Sequence, residues 1–147
     1  MSATEGLKIG KAIFNILKNN SQVNASNYLN GDSTLIQPSP LKENSAADMA
    51  IVYEIDACRP LNVKRPFFRA STAPLYIVDF NVEVITKNYK KSVLLSDAVA
   101  QALQEASNNT YNGVKINGIT LDSATEGYNK ARKYYVKSLS FQGRVLL

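Results

Sequence analysis

The sequence predicts an α+β fold: an antiparallel or mixed β-sheet of about four to five strands, two α-helices packed on one face, and long loops. Three observations carry this expectation. Two stretches, Ile9 to Leu17 and Leu95 to Ala106, place apolar residues at helical spacing. Two others, Met49 to Ala57 and Val78 to Val84, alternate with the period of a strand. The longer of these keeps one polar face, as in a sheet covered on one side only. The 147 residues read as one domain, 1–147, long enough to bury about two-thirds of its unfolded surface.

In chain order, the first helix runs from Leu7 to Leu17 with Thr4 as its N-cap. Ile9, Ala12, Ile13, Ile16 and Leu17 form its apolar stripe, and Lys8, Lys11, Asn15 and Lys18 lie opposite. The Asn- and Ser-rich stretch Asn19 to Asn27 should end it, because these side chains compete for backbone hydrogen bonds. Tyr28 to Asp48 is loop-like, with turn signals at Asn30-Gly31-Asp32 and Pro38-Ser39-Pro40. Within it, Thr34 to Gln37 is extended enough to pair at a sheet edge, and Pro38 limits its growth.

Met49 to Ala57 is a strand with Met49, Ile51, Tyr53, Ile55 and Ala57 on one face. Leu75 to Thr86 is longer, with Val78, Phe80, Val82 and Val84 opposing Asp79, Asn81 and Glu83. The second helix starts at a Ser92 cap and buries Leu95, Ala98, Val99, Ala102, Leu103 and Ala106, and Asn108 to Gly113 ends it. Val114 to Asp122 is a strand interrupted by Asn117-Gly118, a type I′ hairpin signal or a bulge. The short arms favour the bulge. Ser123 to Lys133 reads as a polar loop. Tyr134 to Val145 closes the chain as a strand, with Tyr135, Leu139, Phe141 and Val145 inward and Ser138, Ser140 and Gln142 outward.

Composition narrows the chemistry. The chain has no histidine and one cysteine, Cys58, so histidine-based nucleophile systems, an intramolecular disulfide and a thiolate metal cluster are all closed to it. Its acids are scattered along strands, and no Gly-rich phosphate loop is present. The expectation is a protein that is not an enzyme and needs no cofactor or metal. The N-terminus lacks a signal-peptide pattern and no apolar run is long enough for a bilayer, so an unprocessed cytoplasmic chain without membrane contact is expected. A formal charge of +5, from 17 basic and 12 acidic residues, suits nucleic acid, an acidic partner surface, or simply a solvated exterior.

The order of elements resembles the tail-terminator, or tail-completion, proteins of long-tailed bacteriophages, the lambda U-like group. The resemblance rests on Gln37-Pro38-Ser39-Pro40 ahead of the strand Met49 to Ile55, then Tyr76 to Thr86. Asn88-Tyr89-Lys90-Lys91-Ser92 opens the helix Val93 to Leu103, and Gly118 to Asp122, Glu126-Gly127-Tyr128 and Leu139-Ser140-Phe141 complete it. It covers most of the chain and contains no catalytic signature. It implies a virion protein assembled in the host cytoplasm: a hexameric ring that caps the tail tube, meets the tube protein on one side and the head connector or neck proteins on the other, and lets DNA pass without sequence-specific binding. The chain departs from the pattern in its long loop from Arg59 to Pro74 and its Asn-rich segment after the first helix.

Three basic groups are candidate sites. Arg59, Lys64, Arg65, Phe67, Phe68 and Arg69 lie in the Pro-rich loop, and Arg and aromatic residues favour interfaces; the competing explanation is a surface loop with its phenylalanines tucked on the core. Lys87, Lys90 and Lys91 precede the second helix, where the dipole disfavours cations, and face either lumen DNA or solvent. Lys130, Arg132 and Lys133 sit beside Tyr134 and Tyr135 as DNA-facing candidates, against the plainer reading of edge packing. The alternatives to a terminator are another neck or head-closure ring, a nucleic-acid-binding α+β module, and, with least support, a small carboxylate-dependent enzyme.

Overall fold

The first helix, α1, occupies Ala3–Asn19. Thr4 is therefore inside it rather than capping it. Ile9, Ala12, Ile13, Ile16 and Leu17 are all buried, and Lys8, Lys11 and Lys18 are exposed. Asparagines end the helix, as expected. The Asn24 amide donates to the carbonyls of Leu17, Lys18 and Asn20 at 2.9, 2.7 and 2.8 Å, while Asn20 Oδ1 accepts from the backbone N–H groups of Gln22 and Val23. Two of the terminal carbonyls that the helix leaves open, those of Leu17 and Lys18, are thus met by one side chain. The structure, a computed structural model, describes residues 3–25, 28–29, 33–39, 48–60 and 75–146.

Among the described residues six strands follow, rather than four to five: β1 (Ile36–Pro38), β2 (Met49–Pro60), β3 (Leu75–Thr86), β4 (Thr110–Tyr111), β5 (Val114–Asn129) and β6 (Tyr134–Leu146). They form one mixed sheet in the order β1-β2-β3-β6-β5-β4, in which only β1 and β2 are parallel. Of the two short edge strands, β1 falls where Thr34 to Gln37 was read as able to pair at an edge, and β4 is the addition. Between β3 and β4 lies α2 (Tyr89–Gln104), and both helices pack into one core with Val78, Phe80, Val82, Val84, Leu139 and Phe141. Phe80 and Phe141 stack there with ring centroids 5.2 Å apart. No described helix is long and apolar enough to cross a membrane.

Three local readings change, and the bulge favoured at Asn117-Gly118 holds. Asn88, not Ser92, caps α2: its side chain accepts from the Lys91 N–H at 3.1 Å. Ser92 is buried one turn later and its hydroxyl donates to the Tyr89 carbonyl at 2.8 Å, so Lys90 and Lys91 belong to the first turn itself. A type I′ Asn-Gly turn does exist, but at Asn112-Gly113 between β4 and β5, where φ is 50° and 78°. Asn117-Gly118 is a bulge, since the pairing with β6 skips from Ile116 to Gly118. A further bulge, in β2, skips Asp56, which turns Ala57 outward to solvent and brings Cys58 onto the core side that Ala57 was expected to hold.

The largest correction is in the segment read as a polar loop, Ser123 to Lys133. Its first seven residues are strand, paired with β6 from Ser123↔Ser140 to Asn129↔Tyr134. All seven are exposed, so no alternation of apolar residues marks it. The opposite face of the sheet is also not wholly wet: Val52, Ile85 and Tyr134 are buried together on it, with Val136 against them.

Candidate assembly surfaces

Strand register decides which cations meet. Met49 pairs with Thr86, Thr86 with Tyr135, and Asn129 with Tyr134, so the start of β2, the end of β3, the start of β6 and the end of β5 lie at one end of the sheet. Lys87 follows Thr86 there. Its ammonium is 3.4 Å from Asp48 and 5.7 Å from the centre of the Tyr134 ring. Lys90 and Lys91 are exposed on the first turn of α2, which starts two residues after Lys87. Lys130, Arg132 and Lys133 form the exposed turn of the β5–β6 hairpin. Asn129 Oδ1 accepts from the backbone N–H groups of Ala131 and Arg132, and Lys133 takes a left-handed φ of 59°, which fixes that turn.

Two of the three sequence-predicted basic groups therefore merge into one basic end. A tyrosine cluster ties them together. Tyr135 meets Tyr89 of α2 at 5.4 Å and Tyr128 of β5 at 4.9 Å between ring centres. The Tyr89 hydroxyl donates to Glu126 at 3.3 Å, and Lys137 stands 3.5 Å from the same carboxylate. Tyr89 and Tyr128 remain half exposed at this end. Sequence reading noticed the cations but missed the cluster, because Tyr89, Tyr128 and Tyr135 come from three different elements.

Arg59 is elsewhere. It lies near the far end of β2, exposed, with its guanidinium 2.8 Å from Asp79 on the polar sheet face. That hydrogen bond, with a second from Gln142 at 3.2 Å, holds the Asp79 carboxyl below its ordinary pKa against a smaller opposing effect of burial. Lys64, Arg65, Phe67, Phe68 and Arg69, the other interface candidates, lie outside the described residues. On the core side, burial raises the Tyr53 phenol above its usual pKa.

A second surface was not foreseen. On its outer edge β5 pairs with β4 only at Val114 and Lys115, with Ile116 bonded to Asn108 and Asn109. From Asn117 to Asn129 no described strand pairs with that edge, and Thr120 to Asn129 are exposed without exception, Leu121 and Tyr128 among them. At the other side of the sheet β1 pairs with β2 at Ile51, Val52 and Tyr53. Backbone donors and acceptors along that edge of β5, paired with no described strand, suit a strand from another chain.

No protein-family model and no curated protein matches the sequence. Among solved structures, the fold matches a chain from the "virion of native gene transfer agent (GTA) particle" with a TM-score of 0.68. The match covers 99% of this chain and 98% of that one at 16% identity. The two share a fold from end to end.

Proposed function

We propose that the chain is a structural protein of a phage-like particle, and that it forms the closed ring that terminates the tail tube and joins it to the head connector. The observation that carries the reading is the end-to-end likeness to a virion chain, in which the described elements follow the order that the tail-terminator resemblance implies. The open edge of β5 supports it. β1 and β2 run antiparallel to β5, so a neighbour rotated about an axis along the strands presents an antiparallel partner to the bare stretch of β5. Such a contact is heterologous, and heterologous contacts close into rings when the rotation divides the circle. A ring whose two faces differ binds the tube on one and the connector on the other, which stops further stacking.

Light scattering on a sizing column, with negative-stain microscopy of the protein alone and with purified tail tubes, tests the reading. Six-fold rings, or caps on tube ends, are expected. A chain that stays monomeric and never engages a tube end would refute it. A head-closure or other neck ring would show as rings that bind connector but leave tube growth unchecked.

A further inference from the structure

We propose that the basic end of the sheet is a phosphate-binding surface for duplex DNA. It gathers Lys87, Lys90, Lys91, Lys130, Arg132 and Lys133 from the β3–α2 turn, the first turn of α2 and the β5–β6 turn. All six are exposed, and among the described residues the acids placed with them are Asp48, beside Lys87, and Glu126, already engaged by Lys137 and Tyr89.

Stability does not account for this arrangement. Lys90 and Lys91 occupy a first turn that contains no acid, where each cation opposes the helix dipole. The three hairpin cations stand within four residues of one another and repel. The composition also argues against an acidic protein as the ligand. Protein interfaces are depleted in lysine, whose flexible, strongly hydrated ammonium is costly to immobilise and dry. Five of these six cations are lysine. Phosphate contact tolerates that chemistry, because its free energy comes largely from counterion release rather than from close packing. The side chains reach outward from rigid anchors, since the hairpin turn is fixed by Asn129 and joined to α2 through Tyr89, Tyr128 and Tyr135. Among the described residues no base-reading element accompanies them, and the binding proposed is sequence-blind.

The proposal does not depend on the ring. It is tested with the full chain and a labelled 30-base-pair duplex (chosen to exceed the width of the surface), by fluorescence anisotropy between about 50 and 200 mM NaCl. With all six cations engaged, log affinity falls against log salt with a slope of about −5. Reversing Lys90, Lys91, Lys130 and Arg132 to Glu should lower affinity at least tenfold and flatten the slope to about −2. The control reverses Lys8, Lys11, Lys115 and Arg144, four exposed cations outside the basic end, and should leave both nearly unchanged. Circular dichroism verifies that each variant is folded.

Three results overturn the proposal: no binding by the unaltered chain at the lowest salt, equal loss in the two variants, or polyglutamate of matched charge competing as well as DNA does. Light scattering on the same samples reports ring formation separately. DNA binding can therefore fail while the ring stands, and the reverse.

Discussion

Gly143 offers the sharpest test of how α1 sits on the sheet. It lies on β6 in the inward phase of Phe141 and Val145, opposite Val78 on one side and Ile119 on the other. A methyl group built there would meet Ile119 Cγ1 at 3.5 Å and Phe80 Cε1 at 3.6 Å, ordinary contact distances, and would point toward a void of about 10 Å³ lined by Ile9, Ile13 and Ile116. Its backbone is not left-handed, so alanine can adopt it. Gly143→Ala should gain about 0.4–1 kcal/mol by restricting the unfolded chain. Burying the methyl adds about 0.8 kcal/mol. The sum, about 1–2 kcal/mol, corresponds to roughly 3–6 °C in Tm for a domain of this size. Urea unfolding followed by circular dichroism should show a higher midpoint at an unchanged slope. Gly143→Val is the counterpart: its extra carbons exceed the space and should cost about 1–3 kcal/mol. An alanine variant destabilised by more than about 1 kcal/mol would show that the helix and sheet lie closer than described, and the argument would fail.

The remaining expectations concern side chains that close the fold. Asn24→Ala removes the amide that caps the end of α1 and should cost about 1–2 kcal/mol in urea unfolding. Asn24→Asp should cost more, because a carboxylate beside those carbonyls both fails to donate and opposes the helix dipole. For Asp79, the folded pKa lies below the ordinary value of 3.8. Its contribution is therefore complete above that value and is lost as pH falls through the lower, folded one. Arg59 and Asp79 are both well exposed to solvent, which holds the effect under about 1 kcal/mol. Unfolding at about pH 5 and about pH 3 should show it, and Asp79→Asn should abolish that part of the acid sensitivity.

Sequence determined the elements whose burial is periodic. The inward stripes of both helices and the phase of β3 were legible because a covered face forces apolar residues at fixed spacing. Helix termination by asparagine was legible for a local reason, the reach of one side chain to carbonyls a few residues away. Only the tertiary structure decided the rest. The bare half of β5 reads as loop because neither face is buried, and backbone pairing to β6 leaves no mark on side-chain choice. The bulge at Asp56 exchanges Ala57 for Cys58 on the core side, yet an inserted residue looks like any other in the chain. The basic end joins residues more than forty positions apart, and its existence depends on strand register, which turn geometry and the matching of apolar faces between distant strands set and no single segment encodes.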